Sequence, residues 1–344
     1  MPASTPTVLP HLCPIVILGP TAGGKSELAV RLAEAENGEI IGADSIQVYR
    51  HLDAGSAKPT HDQRRRAKHH LIDIVEPTVP FTVADWIQLA DQHIADLQSR
   101  GVRPIVVGGT NLYLKSLLEG MFEGPGRDDA FRESLNDVAT ADLHARLKPL
   151  DPAAGERLHP NDRKRLIRAL EVHHLTGRPI SDFQQQWDQS PDGDKPNAAG
   201  DVASGAPAYR HSPLLVGLRW SPEAVNPRIN LRVKAMFHPD RVEPKLAADV
   251  CINGESLPDE TRRLEAADLL GSQAREALGY RQVLDHLAGR MSLDDAMERT
   301  KIDTRRFAKQ QRTWLKRFRG VHWLEADAQT PDGLFQAACD ALES

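Results

Sequence analysis

The stretch GPTAGGKS, residues 19–26, constrains the fold of this chain more than any other part of its sequence. It follows the short apolar run PIVIL and precedes a helical pattern that continues to about residue 35. A glycine-rich loop between a strand and a helix directs backbone N–H groups and the positive end of the helix dipole toward an anion. The spacing G-x-x-x-x-G-K-[ST] is typical of phosphate-binding loops. The sequence therefore predicts a phosphate site, although the loop alone does not identify the ligand.

The chemistry of this phosphate loop depends on its last two residues. Lys25 supplies a positive charge to the phosphates, and the Ser26 hydroxyl can complete the coordination of a Mg²⁺ ion. A glycine-rich turn without a ligand is the alternative, which the flanking strand and helix disfavour. The predicted phosphate-binding residues are Gly19, Pro20, Thr21, Ala22, Gly23, Gly24, Lys25 and Ser26.

The first 120 residues alternate apolar runs with helical patterns. PIVILG, EIIGAD, HHLIDI and RPIVVGG predict strands, with helices from Lys25 to about residue 35 and over residues 85–100. This alternation predicts an α/β fold: a P-loop NTPase-like parallel sheet flanked by helices on both faces. Ligands of such sheets bind at the carboxyl ends of the strands. Gly19, Asp44 and Thr110 each follow a strand, so we expect them at one edge.

Beyond about residue 127 the pattern is helical only, until PLLVGLRW predicts another strand. An Asn161 or Asp162 cap and a stop at Gly177 bound one helix. We predict a catalytic core of residues 1–120 and 213–344, interrupted by an all-helical insertion at 121–212. Residues 188–213 are rich in Gly, Pro, Asp and Ala, so a long mobile loop is expected there.

Composition limits the classes of protein to which this chain can belong. The net charge is −5, and no run of 18 apolar residues occurs, so neither a membrane span nor an overall basic protein is predicted. The three scattered cysteines fit a reducing cytoplasm. His69-His70 and His173-His174 lack metal-ligand spacing. A monomer is the default expectation, since the sequence carries no sign of an oligomer interface.

Asp44 and Thr110 each have a functional and a structural interpretation. A carboxylate beside phosphates is electrostatically unfavourable unless it binds Mg²⁺ or accepts a proton, but Asp44 also suits a helical cap. Thr110 follows two glycines and can either donate to a phosphate oxygen or cap the next helix. Local sequence does not decide between these roles.

The helix near the carboxyl end carries a row of basic side chains with helical spacing. Phe307, Trp314 and Phe318 lie on the opposite side and are predicted to anchor it. A row without acids favours contact with a polyanion such as a nucleic-acid backbone over a solvated face. The row consists of Arg305, Lys309, Arg312, Lys316 and Arg319, and a second cluster holds Arg163, Lys164, Arg165 and Arg168.

Nine motifs in order resemble those of the tRNA dimethylallyltransferases, the isopentenyl-tRNA transferase family, in its compact bacterial form. They are GPTAGGKS, ADSIQVYR, GSAKP, HHLIDI, VGGTNLYL, NDRKRLIRALEV, RINLRV, ALGYRQVL and TRRFAKQQRTW, spanning about residues 14–318. The resemblance implies transfer of a dimethylallyl group from dimethylallyl diphosphate to the N6 amine of adenosine 37, 3′ of the anticodon. It also implies tRNAs that read codons beginning with U, release of pyrophosphate and a need for Mg²⁺.

The resemblance also implies roles for particular residues. The phosphate loop would hold the diphosphate, Asp44 would be the general base, and Thr110 and Arg232 would stabilise the leaving group. Residues implied to contact the tRNA anticodon stem-loop are Asp44, Ser45, Ile46, Gln47, Thr110, Arg132, Lys164, Arg165 and Arg168.

The sequence departs from the family pattern in three places. FHPDRVEPK follows RINLRV, which leaves the placement of Arg232 open, Gln310 stands where an arginine is common, and the loop at 188–213 is long. The main alternative is a P-loop small-molecule kinase that uses ATP, which would need neither basic helices nor an acid facing adenine. A non-catalytic RNA-binding protein is disfavoured by the intact phosphate loop and Asp44.

Overall fold

The apolar run before the phosphate loop forms the centre of a six-stranded, fully parallel sheet. The strands are β1 (Ile15–Leu18), β2 (Gly38–Gly42), β3 (His69–His70), β4 (Arg103–Val107), β5 (Leu214–Arg219) and β6 (Val321–Glu325). Their order is β3-β2-β4-β1-β5-β6. β1 is buried along its whole length because a neighbour pairs with it on each side and helices cover it. The predicted parallel α/β fold is confirmed.

The computed structural model describes residues 12–121, 124–188 and 209–343. Contacts divide the chain into two compact units, one of Met1–Leu118 with Ala199–Ser344 and one of Glu119–Ala198. Most of the loop predicted at 188–213 lies outside the described residues. None of the helices among the described residues combines the length and the apolar character that crossing a membrane requires.

Helices make up the rest of both units. In the first unit they are α1 (Lys25–Ala35), α2 (His61–Arg66), α3 (Val83–Ser99), α4 (Asn111–Glu119), α10 (Pro222–Phe237), α11 (Pro244–Val250), α12 (Leu257–Ala266), α13 (Ser272–Arg275), α14 (Tyr280–Leu287), α15 (Leu293–Leu315) and α16 (Pro331–Glu343), with a 3₁₀-helix at Pro239–Arg241. In the second they are α5 (Asp129–Ser134), α6 (Thr140–Leu150), α7 (Pro152–Arg157), α8 (Arg163–Thr176) and α9 (Ile180–Asp188).

Local signals account for several helix ends. Asp162, rather than Asn161, caps α8 by accepting the backbone N–H of Arg165, and Gly177 ends it with a φ of 67°. α1 differs, since Gly24 precedes it with a φ of 83° and gives no side-chain cap. The first amide groups of α1 therefore remain available to a ligand.

Two strands depart from the sequence prediction. Only His69–His70 of HHLIDI is extended, and β6 was not predicted. β6 lies at the edge of the sheet, and of its five residues only Leu324 is buried. An edge strand needs no continuous apolar run, so its sequence carries a weak signal.

The expectation that aromatic residues anchor α15 agrees with the burial of Phe318, which lies in the core just beyond the end of the helix, but is wrong for Phe307. Phe307 is 36% exposed, and the helix ends at Leu315, before Lys316 and Arg319. The buried side chains of α15 are Ala296, Thr300, Thr304, Ala308, Gln311 and Leu315. This face is made mainly of small and polar residues because α15 packs closely against α10 and lines the cleft with Thr300, Thr304 and Gln311.

A buried carboxylate holds the loop that follows Tyr49. Glu260, on α12, accepts the N–H groups of Asp53 and Ala54 at 3.0 and 2.9 Å and the hydroxyl of Tyr280 at 2.6 Å. Burial raises the pKa of Glu260 to about 7, although these hydrogen bonds oppose the rise. The loop is thereby fixed against the helices of the first unit.

Because the pKa of Glu260 is raised by folding, its ionisation weakens the folded state as the pH rises from about 4.5 to 7. We expect the free energy of unfolding of the wild type to fall relative to that of Glu260→Gln, by about 1.4 kcal/mol per pH unit within this interval. Urea unfolding at pH 5, 6, 7 and 8 measures the difference. Glu133→Gln, at an exposed position of α5, should leave the pH dependence of stability unchanged; a constant difference for Glu260→Gln would contradict the expectation.

Candidate active site

A large cleft opens at the carboxyl ends of β1, β2 and β4. It has a volume of about 1170 Å³ and lies within the first unit. Its walls are the phosphate loop, the segments after β2 and β4, the loop at residues 55–60, and faces of α10 and α15. The expectation that Asp44 and Thr110 meet the phosphate loop at one edge of the sheet agrees with this arrangement.

Lys25 is folded back onto its own loop. Its Nζ donates to the carbonyl oxygens of Gly19 at 3.0 Å and Pro20 at 2.8 Å, and the side chain is buried. Burial lowers the pKa of Lys25 to about 8; the nearby Arg232 guanidinium adds to the decrease, and Asp44 opposes it. The ammonium is therefore a desolvated cation whose hydrogen-bond partners, among the residues that the structure describes, are two neutral carbonyl groups.

Arg232 brings a second buried cation to the loop. Its Nη2 donates to Thr21 Oγ1, while its buried Nε has no partner among the residues that the structure describes. Burial lowers its pKa to about 10, with Asp44 opposing and Arg228 adding to the decrease. Arg228, one turn earlier on α10, donates to the carbonyl of Ala22 at 2.9 Å. A buried donor without an acceptor fits a site for an anion.

The continuity of α10 explains why Arg232 reaches the cleft. The helix runs through Phe237 and ends at His238, and the atypical segment that begins there forms the 3₁₀-helix. The unusual sequence thus follows Arg232 instead of interrupting the helix that carries it.

The two oxygens of Asp44 face different surroundings. Oδ1 accepts the N–H groups of Ile46 at 2.9 Å and Gln47 at 3.3 Å, which is a cap. Oδ2 faces Gly109, where an added Cβ would lie 3.2 Å from it. The structural role therefore uses one oxygen, and Oδ2 accepts no hydrogen bond from the residues that the structure describes; Asp44 itself lines the cleft.

Thr110 joins the segments that follow β2 and β4. Its Oγ1 accepts the N–H of Ser45 at 2.9 Å and donates to Ser45 Oγ at 3.2 Å. Close approach of the two segments requires Gly108, because a Cβ there would lie 2.0 Å from the carbonyl oxygen of Ala43. The hydroxyl contacts Ser45 and also borders the cleft.

The remaining residues predicted on the adenine side line the same cleft. Ser45 and Ile46 border it, and Gln47 donates through Nε2 to the carbonyls of Ser56 and Ala57 at 3.1 and 2.9 Å. Gln47 thereby holds the loop that Glu260 fixes from the other side. Their predicted contact with tRNA stays a prediction.

Sequence reasoning missed Gln311, which is 1% exposed. Its Oε1 accepts the N–H of Thr21 at 2.8 Å, and its Nε2 donates to the carbonyl of Gly109 at 2.8 Å. The sequence does not indicate that this glutamine is buried, because the residues around it on the helix are mostly basic and polar. The one available signal is its position on the face of α15 that carries small residues.

The predicted basic residues of the second unit differ in their surroundings. Arg132 and Arg168 both bind the fully buried Glu171, at 2.7 and 2.6 Å. Burial alone would raise the pKa of Glu171, but these hydrogen bonds lower it to about 2. Lys164 is exposed, and Arg165 is exposed and pairs with Asp162. Of the four, Lys164 and Arg165 therefore reach the surface, and Arg165 shares its charge with Asp162.

Ser26 is the predicted metal ligand and is exposed at the cleft. Across residues 12–121, 124–188 and 209–343, three or more His, Cys, Asp or Glu side chains do not come together as a metal site. Mg²⁺ in phosphate-handling proteins takes most ligands from water and substrate oxygens, with few from the protein. The donor set fits a metal of that kind.

Comparison with known proteins places related sequences along nearly the whole chain. A family model described as IPP transferase matches residues 47–318, and one described as isopentenyl transferase matches residues 14–76. A protein of Geobacter sulfurreducens named tRNA dimethylallyltransferase is 42% identical over 318 residues, covering 91% of this chain and 92% of that protein. These matches span the region that carries the nine motifs.

Solved structures share the fold. A tRNA delta(2)-isopentenylpyrophosphate transferase from Staphylococcus epidermidis is 30% identical with a TM-score of 0.63, covering 96% of this chain and 98% of that chain. A eukaryotic dimethylallyltransferase acting on tRNA gives a TM-score of 0.71 at 24% identity, covering 94% of this chain and 77% of that one.

The surroundings of the basic residues predict unequal effects on stability. Arg132→Ala leaves Glu171 with Arg168 and the N–H of Asp128 as partners and should lower the free energy of unfolding by about 2 kcal/mol, the loss of hydrogen bonds to a buried charge. Lys164→Ala removes an exposed charge and should change it by less than about 0.5 kcal/mol. Urea unfolding followed by circular dichroism measures both. Equal effects would contradict a structural role for Arg132.

Proposed function

We propose, since this chain belongs to the IPP transferase family, that it is a tRNA dimethylallyltransferase. The enzyme transfers the dimethylallyl group of dimethylallyl diphosphate to the exocyclic amine of an adenosine in tRNA and releases pyrophosphate. The observation that carries this proposal is that two features meet in one cleft. One is an anion cradle, formed by the phosphate loop with Lys25, Arg228 and Arg232, and the other is the Oδ2 atom of Asp44. A kinase would need the cradle but not this carboxylate.

The cradle suits a diphosphate leaving group. The first amides of α1, the ammonium of Lys25 and the guanidinium groups of Arg228 and Arg232 border one end of the cleft. The unpartnered Nε of Arg232 would donate to a phosphate oxygen. As the allylic C–O bond breaks, negative charge grows on the diphosphate, and fixed donors in a desolvated site stabilise it.

Asp44 acts on the other substrate. The exocyclic amine of adenine is a weak nucleophile because its lone pair is delocalised into the ring. Oδ2 of Asp44 accepts a hydrogen bond from this amine and then its proton as the new C–N bond forms, an effect of about 10²–10⁴-fold in rate. Oδ1 remains bound to the amides of Ile46 and Gln47, which keeps the carboxylate oriented. Thr110 and Ser45 fix the adjoining backbone.

Mg²⁺ would be held by the Ser26 hydroxyl together with oxygens of the diphosphate. When bound, it neutralises negative charge on the leaving group. The chain's own contribution is the placement of that hydroxyl beside Lys25 at the start of α1.

The proposal also specifies which nucleotide is modified and in which tRNAs. We infer that the target is adenosine 37 in the anticodon stem-loop of tRNAs that read codons beginning with U. The base must leave its stack to reach Asp44, which costs a few kcal/mol. Lys164 and Arg165 contact the tRNA backbone, while Arg132 and Arg168 support the fold of the second unit. The enzyme acts in the cytoplasm as a monomer.

A direct assay tests the reaction. Purified protein is incubated with unmodified tRNA and Mg²⁺, with either labelled dimethylallyl diphosphate or ATP labelled in its γ-phosphate. We expect label to enter tRNA from the prenyl donor alone. Phosphoryl transfer from ATP without prenylation would establish the kinase alternative.

Asp44→Asn keeps the acceptor for Ile46 and Gln47 but cannot take a proton. We expect kcat to fall by about 10²–10⁴-fold, with the Kd values for tRNA and dimethylallyl diphosphate changed by less than about threefold. The control is Asp62→Asn, an acid that lines the same cleft and should retain wild-type kcat. A near-normal kcat in Asp44→Asn would remove Asp44 as the base.

The lowered pKa of Lys25 predicts how binding depends on pH. Below about pH 8 the ammonium is charged and attracts the diphosphate, and above it the charge is lost. The Kd for dimethylallyl diphosphate should therefore rise above pH 8, approaching tenfold per pH unit. Calorimetry between pH 7 and 9.5 measures this, and Lys25→Arg, which stays charged, should give a flatter profile. Equal slopes in the two proteins would exclude Lys25 as the cause.

A further inference from the structure

We propose that Gln311 is a positioning residue that sets the distance between the phosphate loop and the carboxylate of Asp44. The inference rests on the proposed function, because it concerns the alignment of the two substrates. Gln311 lies on α15, 290 residues beyond Thr21 and 202 beyond Gly109, yet its side chain bonds both. One amide therefore ties the loop after β1 to the loop after β4.

Both ends of the amide are used with the correct polarity. The oxygen accepts from a backbone N–H and the nitrogen donates to a backbone carbonyl, each at 2.8 Å, in a site where the residue is 1% exposed. A buried amide with both groups satisfied is held in one orientation. No shorter or charged side chain makes the same two bonds.

The link reaches both groups that the reaction uses. Thr21 also accepts the hydrogen bond of Arg232, so the N–H that Gln311 holds belongs to the residue that orients this cation. On the other side, a Cβ at Gly109 would lie 3.0 Å from Gln311 Nε2 and 3.2 Å from Asp44 Oδ2. Gln311 therefore borders the space that Oδ2 of Asp44 faces.

Loss of the link should misplace the diphosphate relative to the nucleophile. A displacement of about 1 Å at a reacting centre can cost about 10²-fold in rate. Because the hydrogen bonds of the Gln311 side chain, among the described residues, go to backbone groups, its effect on the reaction passes through the two loops. In this respect Gln311 differs from Lys25, Arg232 and Asp44, which in our proposal act on the substrates directly.

Two substitutions of nearly equal size test the inference. Gln311→Met keeps the length of the side chain and loses both hydrogen bonds, so kcat should fall at least tenfold with the KM for tRNA changed by less than twofold. Gln311→Glu keeps the acceptor for Thr21, but its carboxylate repels the carbonyl of Gly109 and Asp44. When protonated, the introduced acid donates to Gly109 and restores the link.

The pH profile separates positioning from packing. Burial and Asp44 disfavour the ionised form of the introduced acid, whereas Lys25 and Arg232 on the other side favour it. The ratio of kcat in Gln311→Glu to wild-type kcat should rise at least fivefold from pH 8.5 to 6.5, while that of Gln311→Met stays flat. Gln310→Glu and Gln310→Met, at the exposed neighbouring position, should follow the wild type at both pH values. Thermal unfolding verifies that each variant is folded.

A binding measurement keeps this inference separate from the proposed function. Calorimetry with inorganic pyrophosphate should give an affinity at least fivefold weaker for Gln311→Met than for Gln310→Met. If the wild type transfers no prenyl group, the proposed function fails, and the pyrophosphate result still decides the link between the loops. Wild-type pyrophosphate affinity in Gln311→Met, or a flat kcat ratio for Gln311→Glu in an active enzyme, would overturn the inference.

Discussion

Burial of positive charge at the carboxyl end of β1 is the constraint on which the rest of the site depends. Lys25 and Arg232 are both removed from water, and each buried cation costs several kcal/mol unless polar groups replace the lost solvent. The carbonyls of Gly19 and Pro20, the hydroxyl of Thr21 and the carboxylate of Asp44 supply that replacement. The shape of the loop, the length of α10 and the position of Asp44 therefore depend on one another.

Neutral hydrogen bonds connect the loops next to Asp44 and the phosphate loop, whereas the loop at residues 55–60 is also held by the ion pairs of Lys58 with Asp53 and Asp73. Thr110 bonds Ser45, Gln47 bonds the carbonyls of Ser56 and Ala57, and Gln311 bonds Thr21 and Gly109. An ion pair in these positions would compete with the charges that a diphosphate needs. Amides and hydroxyls hold these loops in place without neutralising the positive charges of the cleft, which therefore remain able to attract an anionic ligand.

The predictable parts of the protein are those that neighbouring residues determine. The phosphate loop, the Asp162 cap and Gly177 each depend on a few consecutive residues, so their patterns predict the structure directly. Gln311, by contrast, is functional in our proposal only because two loops from distant parts of the chain reach it.

The burial of single side chains and the partners of single charges could not be predicted from the sequence. Phe307 and Gln311 have side chains that suggest the opposite of their observed burial. Arg132 resembles a surface charge because its partner Glu171 lies 39 residues away in the chain. Glu171 follows Arg168 by three residues on the same helix, but the sequence does not show that this acid is buried. Helical spacing shows which residues share a face, but the neighbouring element decides whether that face is buried.

The folded-back position of Lys25 has a consequence for selectivity among anions. The carbonyls of Gly19 and Pro20 act as an internal ligand, so an incoming anion gains only the difference between its own attraction and theirs. A small anion that contacts only the ammonium replaces these carbonyl hydrogen bonds with its own, so its net binding free energy is small. A diphosphate that also spans Arg232 and the first amides of α1 gains contacts that the carbonyls cannot offer. The internal hydrogen bonds of Lys25 therefore favour the binding of anions that contact several groups at once over the binding of small anions that contact one.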